Sequence, residues 1–204
     1  KGMTAALEWL TNFLYAAILA GVPLLFGTLG EILTEKAGNL NLGVEGMMYM
    51  GAVFGFMGGY FCNSVVLTLL FAFLGGLVGA AVYAFLTVTL KANQNVTGLT
   101  LTIFGTGLAN LLGTGLMNAS ATGAAICSET IRTAFRPMDL GFLTAIPYIG
   151  KLLFNHSFLT YLGIAIAVAA AWYLNRTSKG LNLRAVGENP AAADAAGVNV
   201  SLYK

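Results

Sequence analysis

Of the 204 residues, 57% are hydrophobic and only 9% charged, against roughly 25% charged for an ordinary soluble domain. The net charge is +2 and the basic residues are scattered, so no patch exists for nucleic acid. Uncharged stretches exclude a soluble core: 22 residues from Trp9 to Gly30, 45 from Gly46 to Leu90, 37 from Ala92 to Ser128 and 24 from Leu152 to Asn175. About 20 mostly apolar residues cross the hydrocarbon core as a helix.

In chain order, the first predicted span is Trp9–Leu29. It follows Glu8 rather than a basic region and is long enough to cross, so it is not a secretory signal. The second is Gly43–Phe61 and the third Val65–Leu90, folded around the more polar Cys62-Asn63-Ser64. The fourth is Gly98–Met117 and the fifth Phe158–Leu174. Between the last two, Asn118 to Ser157 holds Arg132, Arg136, Asp139, Lys151, Pro137, Pro147 and His156, and reads as an extramembrane loop with short surface helices. The expected fold is therefore all-α: a polytopic helical membrane protein with about five spans over 1–175, then a cytoplasmic segment, 176–204.

That final segment carries helix punctuation. Asn189 suits an N-cap, Pro190 the first helical position, and Gly197 the left-handed residue beyond a helix end. A helix of about two turns follows, its surface small (Ala191, Ala192, Ala193, Ala195 and Ala196) with Asp194 as its single acid. A helix that short is marginal alone in water and needs a dock. With this tail in the cytoplasm, Lys36, Lys91, Arg176, Lys179, Arg184 and Lys204 lie inside and Lys1, Arg132, Arg136 and Lys151 outside, the sense of the positive-inside tendency.

Glycines recur every four residues at Gly51, Gly55 and Gly59, at Gly75 and Gly79, and small residues at Gly105, Ala109 and Gly113. Small residues let helix backbones approach in lipid, where hydrophobic drive between helices is weak. This pattern predicts a tight bundle without separating channel from transporter. Polar residues gather in Glu31–Glu45 and Lys91–Thr100. Asn41, Glu45, Asn93, Gln94, Asn95 and Thr97 are the candidates for a substrate path, because intramembrane polar groups tend to face a cavity or partner. A second reading stands beside it, in which both segments are solvated turns and Glu45 caps a helix at the interface.

Met47, Met48, Met50 and Met57 have no matching Cys or His, so they read as packing residues rather than a metal path. His156 alone makes neither a metal site nor a catalytic dyad, and the spans hold no paired acids or Ser/His arrangement, so no enzyme chemistry is expected. Cys62 and Cys127 have no metal-type spacing and read as unpaired small residues, with a disulfide on the outer side as the alternative.

Four motifs carry a resemblance. TEKAGNLNLGVEGMMYMGA (Thr34 to Ala52) is similar to the signature after the first span of ABC-importer permeases of the simple-sugar and branched-chain amino acid class. GLNLRAVGENPAAADAAGVNV (Gly180 to Val200) resembles that class's cytoplasmic coupling segment. LKANQNVTGLTLTIFGTGL (Leu90 to Leu108) and IPYIGKLLF (Ile146 to Phe154) are similar to its nucleoside branch, with Asn95 a departure where an aliphatic residue is expected. The resemblance implies that Gly187, Glu188, Asn189, Pro190, Ala192, Asp194 and Gly197 couple the permease to ATP-binding subunits, with Ala191 to Ala196 as the element's buried face. It further implies a second, non-identical permease, a substrate-binding lipoprotein, a bacterial inner membrane, and no cofactor bound by this chain, ATP being used by the partners. In that class further helices follow the coupling segment, so the chain reads as part of a longer protein. Simple sugars or amino acids are the alternative substrates. An ATP-independent secondary transporter would need internal repeats and ion-coupling residues, and would leave the capped tail helix without a purpose.

Overall fold

The computed structural model describes residues 2–120, 123–138, 141, 144 and 146–204; Lys1 and Asp139 of the charge reading lie outside these. The described residues are mostly helical and include no strand. The elements are α1 (Gly2–Lys36), α2 (Val44–Cys62), α3 (Val65–Ala84) running into a π-helical turn (Phe85–Thr89), and α4 (Gln94–Ala119). Then come α5 (Glu129–Ala134), α6 (Ile149–Phe154), α7 (Phe158–Arg176), α8 (Ser178–Glu188), α9 (Pro190–Ala195) and α10 (Val200–Tyr203).

Among the described residues, four helices are long and apolar enough to cross a membrane: α1, α3 with its π turn, α4 and α7. The predicted second span forms as α2, but it is not among those four. Its 19 residues are diluted by glycines at 46, 51, 55, 58 and 59. It packs against both α3 and α4, with Met47, Met50 and Val53 buried. A helix shielded by neighbours on two sides has little need of a lipophilic surface. The expected extramembrane loop contains two short helices, α5 and α6, as anticipated.

Helix boundaries follow local chemistry. The Asn93 side chain accepts from the amides of Asn95 (3.0 Å) and Val96 (3.2 Å), so α4 begins at Gln94 rather than Gly98. Asn63, in a left-handed conformation (φ 48), ends α2, and Ser64 opens α3. Thr177 Oγ1 accepts from the Gly180 amide at 3.0 Å and starts α8, a helix absent from the sequence expectation. Cys62 and Cys127 are free thiols, and burial pushes the Cys127 thiol above its ordinary value.

The chain divides into two compact units. One comprises residues 1–29 and 135–171, the other 30–134 and 172–204. In the first, Gly163 lies against Leu25 and Phe26, and Phe135 packs on Phe158 with ring centroids 5.6 Å apart. His156 is 2% exposed, stacks on Tyr15 at 5.0 Å, and places Nε2 2.8 Å from the Leu152 carbonyl oxygen. It therefore serves as a packed, backbone-anchored ring. The second unit contains α2, α3, α4 and the helical tail, and holds every residue of the predicted site.

Glycine contacts dominate that second unit. At the α2–α4 crossing, a Cβ on Gly105 would lie 2.6 Å from the Gly46 Cα, and one on Gly46 would lie 2.7 Å from the Thr102 Cα. Backbone contact of this kind gains dispersion that any side chain would abolish. Gly51, Gly55, Gly75 and Gly79 line the α2–α3 contact as the four-residue spacing predicts. Gly113 meets nothing within 4 Å, so the pattern extends too far along α4.

Candidate functional site

The tail builds two linked features. Asn189 ends α8, its amide donating to the Ala185 carbonyl, and also begins α9, its side chain accepting from the Ala192 amide at 3.0 Å. Pro190 occupies the first helical position, where a missing N–H costs nothing. Gly197, with φ +82, turns the chain out of the helix. The predicted punctuation is thus present at each position. Of the expected buried face, only Ala193 is buried within the chain; Ala191, Ala192, Asp194, Ala195 and Ala196 are exposed. The element presents a small-residue, weakly acidic surface, and Val186 of the preceding α8 is 0% exposed.

The polar segment after α1 is a strap, residues 37–43, whose backbone groups are met by side chains from three helices. Glu31 Oε1 accepts from the Asn41 amide at 2.9 Å, and Gln94 Oε1 from the Leu40 amide at 2.8 Å. Tyr83 donates its hydroxyl to the Leu40 carbonyl at 2.6 Å, and Thr102 donates to that of Leu42 at 2.9 Å. Gln94 Nε2 donates to Asn39 Oδ1 at 3.1 Å, while Asn41 Oδ1 accepts from the Gly43 amide at 2.9 Å. Asn39 and Asn41 are buried. Buried backbone groups need such partners, and here side chains substitute for secondary structure.

Beside the strap, α2, α3 with its π turn, and α4 enclose a cavity of about 570 Å3. Met50, Val82, Tyr83, Thr97, Leu101 and Phe104 are among its lining residues. Among the six path candidates, Thr97 lines this cavity. Asn41 and Gln94 are engaged in the strap and Asn93 caps α4, while Glu45 and Asn95 are exposed near the starts of α2 and α4. Glu31, Tyr83 and Thr102 were missed by sequence reasoning. Glu31 opens the polar segment 31–45 but was not among the path candidates, Tyr83 and Thr102 stand in apolar helical runs, and only the fold brings the three to one strap. In the first unit, a second, polar cavity of about 440 Å3 is lined by Glu8, Thr11, Asn12, Pro147, Tyr148 and Lys151, with Lys151 Nζ donating to Asn12 Oδ1 at 2.6 Å. The described residues include no cluster of metal-ligating side chains.

A helical chain with membrane-length apolar helices and a capped helical tail defines a polytopic membrane protein. The chain belongs to the family described as branched-chain amino acid transport system / permease component, whose family model matches residues 12–204. It is 37% identical over 203 residues to TsgC13 of Haloferax volcanii, which is named as a glucose ABC transporter permease protein; the match covers 97% of this chain and 58% of TsgC13. Identity is 34% over 194 residues with the nucleoside ABC transporter permease protein NupC of Lactococcus lactis, covering 92% of this chain and 59% of NupC. With the guanosine ABC transporter permease protein NupQ of Bacillus subtilis it is 30% over 192 residues, covering 91% and 58%. The chain thus spans less than two thirds of the length of these relatives. No solved structure matches it. The family resemblance read from the motifs is borne out.

Proposed function

We propose that this chain is part of the permease subunit of an ATP-driven importer of nucleosides in a bacterial plasma membrane. The observation that carries the reading is α9: a short helix capped by Asn189, started by Pro190 and closed by Gly197, with exposed alanines and one face held by Ala193. Such a helix is too short to persist alone and is oriented for a partner to grip. ATP-binding subunits would hold it through Gly187, Glu188, Asn189, Pro190, Ala192, Asp194 and Gly197, and ATP hydrolysis would reside in those partners. A second, non-identical permease would complete the path and a lipoprotein would deliver solute to the outer face. Thr97, with Tyr83 and Phe104, lines the cavity in which a nucleoside base could stack and hydrogen-bond. Asn41, Glu45, Asn93, Gln94 and Asn95 would frame its cytoplasmic approach.

The names of NupC and NupQ support the nucleoside reading. The name of TsgC13 supports a second reading, uptake of a simple sugar. Accumulation of radiolabelled guanosine and of radiolabelled glucose by cells expressing the full-length protein with its partners separates the two. Ala192→Glu should reduce uptake at least tenfold while membrane levels stay normal, because a long charged side chain replaces an exposed methyl on the gripped face. Undiminished uptake by that variant refutes the coupling role.

A further inference from the structure

The tail and the strap meet twice: Asn39 Nδ2 donates to the Lys204 carbonyl at 3.5 Å, and at the closer contact both partners are glycine. A Cβ on Gly187 of α8 would lie 2.9 Å from the Lys36 carbonyl carbon and 3.1 Å from the Gly38 amide nitrogen. Conversely, a Cβ on Gly38 would lie 3.1 Å from the Gly187 Cα and 3.2 Å from its carbonyl oxygen. Gly38 also holds φ +82, the left-handed conformation that closes α1, its amide donating to the Glu35 carbonyl at 2.9 Å. Two backbones therefore touch with no side chain between them to absorb displacement.

Slack is absent on either side of this contact. Toward the partner-facing end, α8 and α9 share Asn189 as terminal and initial cap, so they are joined through one doubly bonded residue. Toward the membrane, the strap is tied to α1 by Glu31, to α3 by Tyr83 and to α4 by Gln94 and Thr102. Gly98 of α4 presses on it as well, since a Cβ there would lie 2.8 Å from the Leu42 amide nitrogen. The strap ends at Gly43, whose carbonyl accepts the first hydrogen bond of α2 from Met47 at 3.1 Å.

We propose that the Gly38–Gly187 contact is the joint through which movement of α9 reaches the spanning helices, and that the strap 37–43 distributes it to α2, α3 and α4. Gly38 is exposed and Gly187 half-buried, so the joint lies at the surface; it transmits displacement because backbone atoms already in van der Waals contact resist closer approach. This inference rests on the coupling reading above. Gly38 and Gly187 are positioning residues: they touch neither solute nor nucleotide.

The test uses the full-length protein with its ATP-binding subunits and second permease in liposomes. It reads solute accumulated per ATP hydrolysed, with guanosine and glucose as probes. Gly187→Ala inserts a methyl into the joint and should lower that ratio at least fivefold, with hydrolysis within twofold of wild type. Thr102→Val keeps the side-chain shape, deletes one tie of the strap, and should lower the ratio about twofold. A loss of stability alone would reduce the amount of active protein and leave the ratio unchanged. A wild-type ratio in Gly187→Ala overturns the joint; should that variant fail to reach the membrane, a wild-type ratio in Thr102→Val overturns it instead. Uptake by the wild type without ATP hydrolysis would remove the coupling reading itself, an outcome distinct from a coupled wild type with unaffected variants.

Discussion

Asn189 shows how much one side chain can organise. Its oxygen receives the Ala192 amide while its own amide closes α8, so one residue makes an elbow from two helices. Removing such a cap costs about 1 kcal/mol of helix stability. Asn189→Ala should therefore speed hydrogen exchange at the Ala192 amide roughly fivefold, that being the donor left without an acceptor; unchanged exchange would mean that packing at Ala193 alone holds α9. The cap was legible because Asn, Pro and Gly stand in fixed order around an alanine run. Tyr83 was not legible, since a tyrosine in an apolar helix has the same sequence appearance whether its hydroxyl meets lipid headgroups or the Leu40 carbonyl 43 residues away.

At the level of elements, α2 departs most from expectation. Its glycines dilute its apolar character, yet they are what admits α3 and α4 on two sides. Glycine is costly in a helix, by about 0.5–1 kcal/mol relative to alanine, unless close approach repays it. Two substitutions on one helix separate these effects. Gly105→Ala should cost about 1–3 kcal/mol by overpacking against Gly46 and lower the melting temperature in detergent. Gly113→Ala meets no neighbour and should leave melting unchanged or raise it. Equal melting of both variants would show that the α2–α4 crossing accommodates a methyl. Period-four spacing identifies candidates for such crossings; it does not say how far along each helix the partner extends, because that depends on the crossing angle.

For the whole molecule, the arrangement predicts an orientation. With α8 to α10 in the cytoplasm, the C-terminus of α2 faces outward, and Cys62, exposed there, should react with a membrane-impermeant maleimide added to intact cells. Labelling only after the membrane is permeabilised would invert the topology and remove α9 from reach of the ATP-binding subunits proposed to grip it. The same division of sides puts the polar strap and the tail together, so the region expected to receive force and the region that holds α1, α3 and α4 in register are contiguous within one compact unit.

The sequence by itself determined the membrane class, the helical spans and the caps of α9, since each depends on residues near one another in the chain: runs without charge, a cap beside its helix, a glycine after it. It also carried the family, through motifs spread over nearly its whole length. Only the tertiary structure decided that α2 is shielded by its neighbours, that Glu31, Tyr83, Gln94 and Thr102 converge on one strap, and that Gly38 meets Gly187. Those facts join residues up to about 150 positions apart. No local pattern encodes such pairings, because they are fixed by which helices cross and how closely their backbones can approach.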